Sequence, residues 1–510
     1  MIDSNEIIKQ LEKRLSSTSM SAKSEHVGVV VSNNDGVISA SGLSRVTLGE
    51  MVEFENGVRG FVLNLGEDSV SIILLSSNNE IREGDLVKST GKILSIDVND
   101  EIIGRVINPI GIPLDGRSKI SSKTAKKMPL EKIAAGVTER SPVDTPLKTG
   151  IKAVDTMIPV GRGQRELIIG DRGLGKTAIA IDTIINQKNI LNGQKRVICI
   201  YVAIGQKQSS ISQVIEKLRK EKALEYTIVV VAGASDPASL QYLAPYAGTS
   251  IAEYFMEKGE DVLVVYDDLT KHAWSYRELS LVLKRPAGRE AYPGDIFYLH
   301  SRLLERSVRL NKENGGGSIT SLPIIETQAS DISAYIPTNV ISITDGQIYL
   351  QADLFNLGIR PAINPGNSVS RVGGAAQTKA IKSVSGKLRL ELAQYNALAA
   401  FAQFGSELDD STTKQLERGK RSVEILKQPQ YQPLTEAFEI ISTWSVTNGF
   451  LDDIDVSEVG RFESELHDYV KSNEKKLVEK LNSGEKLDDT TLNALKKVVE
   501  SFKKGFKISD

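Results

Sequence analysis

The sequence has little of what stabilises small extracellular domains or spans membranes. One cysteine, Cys199, occurs in 510 residues, so no disulfide can form within the chain. That cysteine and the four histidines lack the spacing of a structural zinc site. No apolar run approaches the roughly 18 residues of a transmembrane helix, and the first residues have neither the basic nor the apolar region of a signal peptide. Folds based on disulfides or membrane spans are therefore excluded, and a structural zinc site is disfavoured.

Net charge and aromatic side chains are also limited. The formal charge is −2, so no overall electrostatic field attracts the chain to nucleic acid or to anionic lipid. What is present, 40% hydrophobic and 25% charged residues, is typical of a soluble globular protein. At this length we expect about three or four domains. Cys199 lies in an apolar run, and we expect it to be a small buried side chain.

Residues 1–24 predict a single amphipathic helix followed by a polar linker. Four apolar side chains fall on one helical face, namely Ile7, Ile8, Leu11 and Leu15. The serine-rich residues 16–24 interrupt the helix. A helix this short cannot bury its apolar face alone. Two interpretations stay open: a frayed chain end, or a helix that docks on a partner.

Residues 25–95 predict a small β-barrel domain. Short runs of β-favouring residues are separated by turn signals such as Asp35-Gly36 and Asn56-Gly57. The runs are 27–31, 51–54, 60–63 and 70–74. Closure into a barrel would remove exposed strand edges. An oligonucleotide-binding barrel would need aromatic side chains on a basic face, and Phe54 and Phe61 alone give little support for one. A structural or assembly role is favoured.

The most specific motif is an eight-residue loop that fits the pattern of a phosphate-binding loop, comprising Gly170, Asp171, Arg172, Gly173, Leu174, Gly175, Lys176 and Thr177. Residues 166–169 before it, a glutamate followed by three apolar residues, predict a buried strand, and residues 178–185 after it predict a helix. This order directs backbone N–H groups and the positive end of a helix dipole at one point. We expect Lys176 to reach the outer phosphates and the Thr177 hydroxyl to hold Mg²⁺. The alternative is a glycine-rich turn without function.

Residues 96–380 predict a nucleotide-binding core. Apolar strands at 197–204, 227–232 and 262–266 alternate with helices, which implies a mostly parallel sheet. The third of these strands ends in Asp267-Asp268. An acid directly after a buried strand suits a Mg²⁺-linked water, and Asp267 is the better candidate because it follows the strand immediately. For either acid, a helix N-cap is the alternative.

Gln206 follows the strand at 197–204. Hydrolysis of ATP in such a core usually needs a carboxylate near this point to orient water, and an amide cannot take a proton. Gln206 therefore indicates a site that binds nucleotide but turns it over poorly, unless it is an ordinary loop residue.

Several longer segments resemble the alpha subunit of F-type ATP synthase. Residues 361–364 with 368–373 match a signature that alpha and beta subunits of this family share. Further similar segments are 151–155, 161–167, 285–295, 325–328, 335–347 and 399–406. The resemblance covers nearly the whole chain, and these motifs are longer and more specific than a phosphate loop alone.

The resemblance implies a multidomain α/β fold. It consists of an N-terminal β-barrel, a central P-loop (RecA-like) ATPase core with a mostly parallel sheet, and a C-terminal α-helical bundle. It also implies a ring in which three alpha and three beta subunits alternate around a gamma stalk, with the N-terminal helix docked to a delta subunit. Such a ring makes ATP from ADP and phosphate with a transmembrane proton gradient. The protein would then lie at the cytoplasmic face of the inner membrane, peripheral and only indirectly attached to the membrane sector.

The resemblance also implies roles for individual residues. The alpha site binds ATP or ADP with Mg²⁺ without catalysing, and Gln206 stands where beta subunits carry the catalytic glutamate. Four residues match positions around the adenine, namely Arg360, Pro361, Gln428 and Gln430. Arg371 matches the arginine that alpha lends to the neighbouring beta site, and Ser368 matches a serine needed for activity. The sequence departs from the family at Gly173-Leu174, where Gln-Thr is usual and the Gln contacts phosphate.

Residues 381–510 predict a helical bundle. Apolar residues recur at helical spacing in three stretches, which include Leu388 and Leu392, Phe462 and Leu466, and Leu495 and Val499. Asp488 or Asp489 can cap the last helix. We interpret these stripes as bundle core rather than as cofactor sites.

Two other functions are alternatives to that of a non-catalytic ring subunit. A self-sufficient catalytic subunit, as in beta subunits or secretion ATPases, is disfavoured by Gln206. A ring-shaped RNA translocase also pairs a β-barrel with such a core, but the weak net charge and the aromatic-poor barrel disfavour it. We therefore expect no nucleic-acid partner.

Overall fold

The computed structural model describes residues 26–76, 81–121, 123–188, 196–402 and 409–506. The helix predicted over residues 1–24 lies outside the described residues. The chain divides into two compact units between Leu94 and Ser95.

The first unit is a closed barrel of six antiparallel strands in the order β1-β2-β5-β4-β3-β6. The strands are β1 Val27–Asn34, β2 Val37–Ser41, β3 Glu50–Phe54, β4 Arg59–Leu65, β5 Val70–Leu74 and β6 Leu86–Ile93. Alternate side chains fill the barrel, with Ile38, Val52 and Val87 fully buried. Four of the strands were predicted. The short β2 and the polar β6 were not, because β6 places few apolar residues inward.

The second unit contains an eight-stranded sheet in the order β18-β17-β12-β16-β15-β13-β14-β8. All neighbouring strands in it are parallel except β18, which is antiparallel to β17. The strands of this unit are β7 Ser95–Val98, β8 Val106–Ile107, β9 Lys126–Pro129, β10 Pro146–Leu147, β11 Val160–Gly161, β12 Leu167–Asp171, β13 Ile198–Gln206, β14 Thr227–Gly233, β15 Asp261–Asp267, β16 Ser318–Thr327, β17 Gly346–Leu350 and β18 Val369–Ser370. The central strands are apolar and buried on both faces, including Cys199.

Helices flank this sheet and continue beyond it. They are α1 Lys152–Met157, α2 Lys176–Asn186, α3 Gln208–Lys220, α4 Ala238–Glu257, α5 Leu269–Val282, α6 Ile296–Leu304, α7 Tyr335–Ile343, α8 Ala352–Asn356, α9 Lys379–Ala402, α10 Asp410–Ile425, α11 Glu436–Thr447, α12 Val459–Asn473, α13 Lys475–Asn482 and α14 Asp489–Gly505. None of the described helices is long and apolar enough to cross a lipid bilayer.

The helices α9 to α14 form the C-terminal helical part. Asp488 caps α14, its side chain accepting from the backbone N–H of Thr491. The predicted order of β-barrel, parallel α/β core and helices is therefore confirmed. The predicted boundary near residue 380 stays a prediction, because the apolar side of α9 belongs to the same buried cluster as the sheet.

Phe462 is central to the packing of the helical part. Its ring is 1% exposed and meets the rings of Phe502 and Phe506 edge-on, with centroids 5.2 and 5.1 Å away. We predict that Phe462→Ala lowers the free energy of unfolding of this part by about 3–5 kcal/mol, because it leaves a cavity among fixed neighbours. Chemical denaturation of the full-length protein measures this. Leu390→Ala, at a residue 60% exposed, is the control and should change it by less than about 0.5 kcal/mol; equal effects would contradict the packing described.

Candidate functional site

The carboxyl ends of four adjacent strands meet at one edge of the eight-stranded sheet. In the order β12, β16, β15 and β13, these strands end at Asp171, Thr327, Asp267 and Gln206. Parallel strands bring their carboxyl ends to the same edge, and open α/β sheets bind ligands there. The predicted phosphate loop begins at this edge, where β12 leads into α2.

The phosphate loop has the backbone that a bound anion requires. Gly175 caps the start of α2 with a φ of 99°, a left-handed conformation that favours glycine. The Nζ atom of Lys176 donates to the carbonyl oxygens of Gly170 and Asp171, at 2.7 Å each. Burial lowers the pKa of Lys176. The loop therefore holds an ammonium and the N-terminus of a helix at the same point, as phosphate binding needs.

The side chain of Asp171 holds the loop in place. Its carboxylate accepts hydrogen bonds from Thr327 Oγ1 at 2.6 Å, from Ser330 N at 2.9 Å and from Ser330 Oγ at 3.0 Å. Burial acts to raise the pKa of Asp171, but these hydrogen bonds outweigh it and leave the pKa below its ordinary value. Asp171 thus ties the loop to the segment after β16 through its side chain.

The residues in the middle of the loop differ in their exposure to solvent. Arg172 and Gly173 are exposed, whereas Leu174 is buried and joins the main apolar cluster. Leu174 also lines the cleft beside the loop. Of the two residues at which the sequence departs from the expected family pattern, Leu174 thus places an apolar side chain beside the cleft.

Asp267 is a buried carboxylate whose two oxygens are both hydrogen-bonded. Its Oδ2 accepts from Thr177 Oγ1 and from the Tyr201 hydroxyl, each at 2.7 Å. Its Oδ1 accepts from Gln206 Nε2 at 2.9 Å. Burial raises the pKa of Asp267, and the neighbouring charge of Asp268 adds to the rise. Three neutral donors thus surround an acid that is held at the end of β15.

The oxygens of Thr177 and Asp267 fit a magnesium ion that also binds phosphate. Mg²⁺ prefers hard oxygen ligands and usually keeps waters and substrate phosphates among them. In the described ranges, no cluster of three or more His, Cys, Asp or Glu could hold a metal ion by itself. A hydroxyl and a carboxylate beside a phosphate loop are the donor set that such a shared site requires.

Asp268 has a different role from Asp267. Its Oδ1 accepts from the backbone N–H of Lys271 at 2.8 Å, and its Oδ2 pairs with Lys271 Nζ at 3.0 Å. Asp268 is therefore the N-cap of α5. Of the two adjacent acids, only Asp267 contacts Thr177.

A cleft opens beside the phosphate loop. One face of α2 forms its floor, and residues near 355–361 and 428–430 form its walls. The Arg360 guanidinium lies 4.3 Å from the centre of the Phe355 ring. Pro361 lines the same wall. A mixed apolar and polar lining is typical of a small-molecule site.

Gln428 and Gln430 use their side chains differently. The Gln428 amide accepts from Lys152 N at 3.0 Å and donates to the carbonyl oxygens of Gly150 at 2.7 Å and Gln432 at 3.0 Å. Gln428 thus fixes the wall of the cleft. Gln430 is exposed, and its amide nitrogen lies beside Gly175.

Ser368 and Arg371 do not line this cleft. Ser368 is buried, and its Oγ accepts from the backbone N–H of Tyr349 at 2.9 Å. Arg371 is exposed just after the edge strand β18, and its backbone N–H donates to the Asp345 carbonyl at 2.8 Å. Neither residue therefore contributes to the cleft of its own chain.

Sequence reasoning missed three residues that the site uses. Tyr201 contacts Asp267 from within an apolar strand, and Phe355 stacks under Arg360. Asp182 lines the cleft from α2. Of the three, only Asp182 could have been noticed in the sequence, because it is the single acid within the mostly apolar residues 178–185.

Comparisons with known proteins define the class of this protein. Three family models match it: the ATP synthase alpha/beta family β-barrel domain over residues 23–91, the nucleotide-binding domain of the same family over 150–370, and the C-terminal domain of the ATP synthase alpha/beta chain over 377–502. The chain belongs to the ATP synthase alpha/beta family. It is 55% identical over 501 residues to ATP synthase subunit alpha of Syntrophomonas wolfei subsp. wolfei (strain DSM 2245B / Goettingen), covering 98% of this chain and 97% of that protein. The resemblance to alpha subunits is thus confirmed.

The contacts of Asp171 generate a prediction about the loop. We predict that Asp171→Ala destabilises the segment after β16 by about 1–3 kcal/mol, because it leaves the N–H and hydroxyl of Ser330 without their acceptor. Hydrogen exchange of residues 327–332 should become faster in the variant. Asp331→Ala is the control, since the Asp331 carboxylate accepts from Ser333 within its own turn. Unchanged exchange in Asp171→Ala would contradict the assigned role.

Proposed function

We propose that this chain is the nucleotide-binding, non-catalytic alpha subunit of an F-type ATP synthase. It alternates with a beta subunit in a ring around a gamma stalk subunit. The ring makes ATP from ADP and phosphate, driven by a transmembrane proton gradient. The similarity to the alpha subunit of Syntrophomonas wolfei, the family domains and the phosphate loop support this proposal.

The proposal that the site does not catalyse ATP hydrolysis rests mainly on the hydrogen bond from Gln206 to Asp267. General-base or water-orienting chemistry needs a group that accepts a proton near the terminal phosphate. At the end of β13 the sequence offers an amide, and its N–H₂ group already donates to Asp267. The described strand ends therefore supply a metal ligand and a phosphate loop, but no carboxylate at the Gln206 position.

The same geometry supports a role for each remaining site residue. Gly170 to Thr177 would hold the phosphates, with Lys176 as the cation. Thr177 and Asp267 would hold Mg²⁺, which supplies charge neutralisation at the phosphates when it is bound. The cleft walls at Arg360, Pro361 and the 428–430 segment would hold the base of ATP or ADP.

Arg371 is proposed to act on the neighbouring beta subunit. Its side chain is exposed, follows an edge strand and does not line the cleft of its own chain. A guanidinium is planar and always charged, and it can bridge two phosphate oxygens as charge spreads in the transition state. Ser368 would support the same loop through its contact with Tyr349.

Attachment to the other subunits completes the proposal. The amphipathic pattern of residues 1–24 suits docking to a delta subunit, and this segment lies outside the described residues. The protein would be peripheral at the cytoplasmic face of the inner membrane, joined to the membrane sector only through its partners. No nucleic-acid partner is proposed.

The isolated full-length protein tests the non-catalytic role. We predict that it binds Mg-ADP and Mg-ATP in equilibrium dialysis, while its ATP turnover stays far below the ~10 s⁻¹ of a typical enzyme. The reason is the amide at residue 206. Turnover of several per second would favour a self-sufficient catalytic subunit instead. No binding at all would contradict the nucleotide site and would point to the departure at Gly173-Leu174.

The two adjacent acids test the metal role with a matched pair of variants. In the natural protein we expect Mg²⁺ to raise the affinity for ADP by about tenfold or more. We predict that Asp267→Asn abolishes this increase, because it removes the charge that faces Thr177. Asp268→Asn removes the same charge one residue on, but an asparagine still caps α5. It should keep the magnesium dependence. Titrations with Mg²⁺ and with EDTA measure both; equal losses would contradict the assignment.

The role of Arg371 is tested in an assembled complex with its beta subunit. We predict that Arg371→Lys lowers steady-state ATP turnover by about 10²-fold or more while assembly survives, because lysine keeps the charge but loses the planar fork. Arg117→Lys, at an exposed arginine outside the cleft, is the control. Near-normal turnover with both Arg371→Lys and Arg371→Ala would contradict this role. Arg371 would then form only a surface ion pair, which contributes less than about 1 kcal/mol to stability.

A further inference from the structure

Two fully buried polar residues, Gln164 and Glu166, lie just before β12 and do not line the nucleotide cleft. In the sheet, β12 pairs with β17, and β17 pairs with the short edge strand β18. Ser370, the last residue of β18, is opposite the first residue of β17. Arg371 therefore leaves the sheet at the end where β12 begins, and not at the end where the phosphate loop starts.

The side-chain amide of Gln164 connects these two places. Its Oε1 accepts from the backbone N–H of Gly161 at 2.7 Å. Its Nε2 donates to Oε2 of Glu166 at 2.7 Å and to Oγ of Ser370 at 3.2 Å. Both N–H donors of the amide are thus used. The orientation of the amide is therefore fixed, with its N–H₂ group directed at β18.

The hydroxyl of Ser370 is held from three directions. It donates to the carbonyl oxygen of Pro159 at 2.7 Å and accepts from the backbone N–H of Gly373 at 3.2 Å, besides accepting from Gln164. A serine hydroxyl has one donor and two acceptor positions, and all three are used here. Because Arg371 is the next residue, the position of Ser370 sets the direction in which the Arg371 side chain leaves β18.

Glu166 is not explained by the stability of the fold. Its Oε2 accepts from Gln164, but its Oε1 is buried and has no hydrogen-bond partner among the described residues. A buried acceptor without a donor is destabilising, and an apolar side chain would avoid this cost. A Cβ at Gly346 would lie 2.6 Å from Oε2, so the glycine admits the carboxyl group against β17. What the acid provides is an acceptor that orients Gln164.

The charge of Glu166 is not required for this contact. Burial raises the pKa of Glu166 well above its ordinary value. The hydrogen bond from Gln164 and the charge of Arg371 act against the rise, and Asp345 adds to it. Either protonation state leaves an oxygen that can accept from Gln164.

We propose that Gln164 and Glu166 are positioning residues for Arg371: Glu166 orients the Gln164 amide, which fixes Ser370 and so aims the Arg371 side chain. The inference rests on the proposed action of Arg371 on the neighbouring beta subunit. It adds the contacts that hold the guanidinium in reach of that site. A group that acts in a transition state must be held within about 0.5 Å of its productive place, usually by such supporting hydrogen bonds.

The first test replaces the amide in the full-length chain assembled with its beta subunit. Gln164→Met keeps a similar side-chain length but removes the donor to Ser370. We expect steady-state ATP turnover to fall about 10- to 100-fold, as for a displacement of about 1 Å at a reacting group. The KM for ATP should change little, because the lost interaction is made only in the transition state.

A double-mutant cycle with Arg371→Ala separates positioning from a general effect on the fold. If Gln164 acts through Arg371, then Gln164→Met should cause no further loss of turnover once Arg371 is alanine. A general effect on the fold would reduce turnover by the same factor in both backgrounds. That result would overturn the inference, as would normal turnover in the assembled Gln164→Met complex.

A pair of variants tests the part played by Glu166. Glu166→Gln keeps an oxygen that accepts from Gln164, and we expect near-normal turnover. Glu166→Met removes the acceptor and should lower turnover as Gln164→Met does. Equal turnover in the two Glu166 variants would overturn the role of Glu166.

An exchange of the two residues serves if Gln164→Met does not assemble. Gln164→Glu combined with Glu166→Gln keeps the net charge, the hydrogen bond within the pair and the acceptor for Gly161. It loses only the donor to Ser370. We expect it to lower turnover in the same way, and only when Arg371 is present; normal turnover would overturn the inference.

The control is a buried glutamine that is bonded elsewhere. The Nε2 of Gln187 donates to the carbonyl oxygens of Lys148 and Thr183. Gln187→Met should therefore leave the turnover of the assembled complex unchanged, and a loss equal to that of Gln164→Met would overturn the inference. Near-normal turnover with Arg371→Ala alone would instead overturn the proposed function of Arg371, and the inference with it.

Discussion

The buried carboxylate of Asp267, at the end of β15, needs hydrogen-bond donors on all sides, and the rest of the site depends on this requirement. Asp267 is 3% exposed, and a buried acid without donors would strongly destabilise the fold. Its donors come from different elements: Thr177 from α2, and Tyr201 and Gln206 from β13. The sheet order places these elements on either side of β15. Asp267 therefore has all three donors only when β13, β15 and α2 are packed together.

The same requirement explains why an amide at residue 206 suits a binding site and not a catalytic one. A glutamate there would put a second negative charge beside Asp267, which would raise the pKa of both acids unless a metal ion or phosphate-bound water offset it. A glutamine instead donates a hydrogen bond and stabilises Asp267 without any ligand. In the proposed function, this donor stands where a catalytic site would need a proton acceptor.

Local sequence patterns were sufficient to predict the fold at the level of its parts. The phosphate loop, its strand and its helix follow from spacing alone, as do the strands that end at Gln206 and Asp267. The order of barrel, core and helical part follows from the same patterns, and the resemblance to alpha subunits implies it as well. The strand β6 was missed because its residues are mostly polar or exposed, and pairing with β1 and β3 rather than composition fixes it.

Contacts between distant residues could not be predicted in this way. No pattern indicates that the hydroxyl of Tyr201, within an apolar strand, reaches Asp267. Gln428 was assigned to the base of the nucleotide, but its amide is bonded to backbone from residues 150–152 and 432. That assignment stays a prediction. The partner of a buried polar side chain depends on which donors and acceptors the folded chain brings next to it. Only the structure shows these contacts.

The most direct test of a binding site without catalysis is the fate of one bound nucleotide. Labelled ATP is mixed with an excess of the isolated full-length protein and Mg²⁺, and the bound nucleotide is extracted after increasing times. Because the strand that ends at Gln206 offers no proton acceptor, we expect the label to remain ATP for many minutes while it stays bound. Conversion of the bound label to ADP and phosphate within seconds would contradict a non-catalytic site.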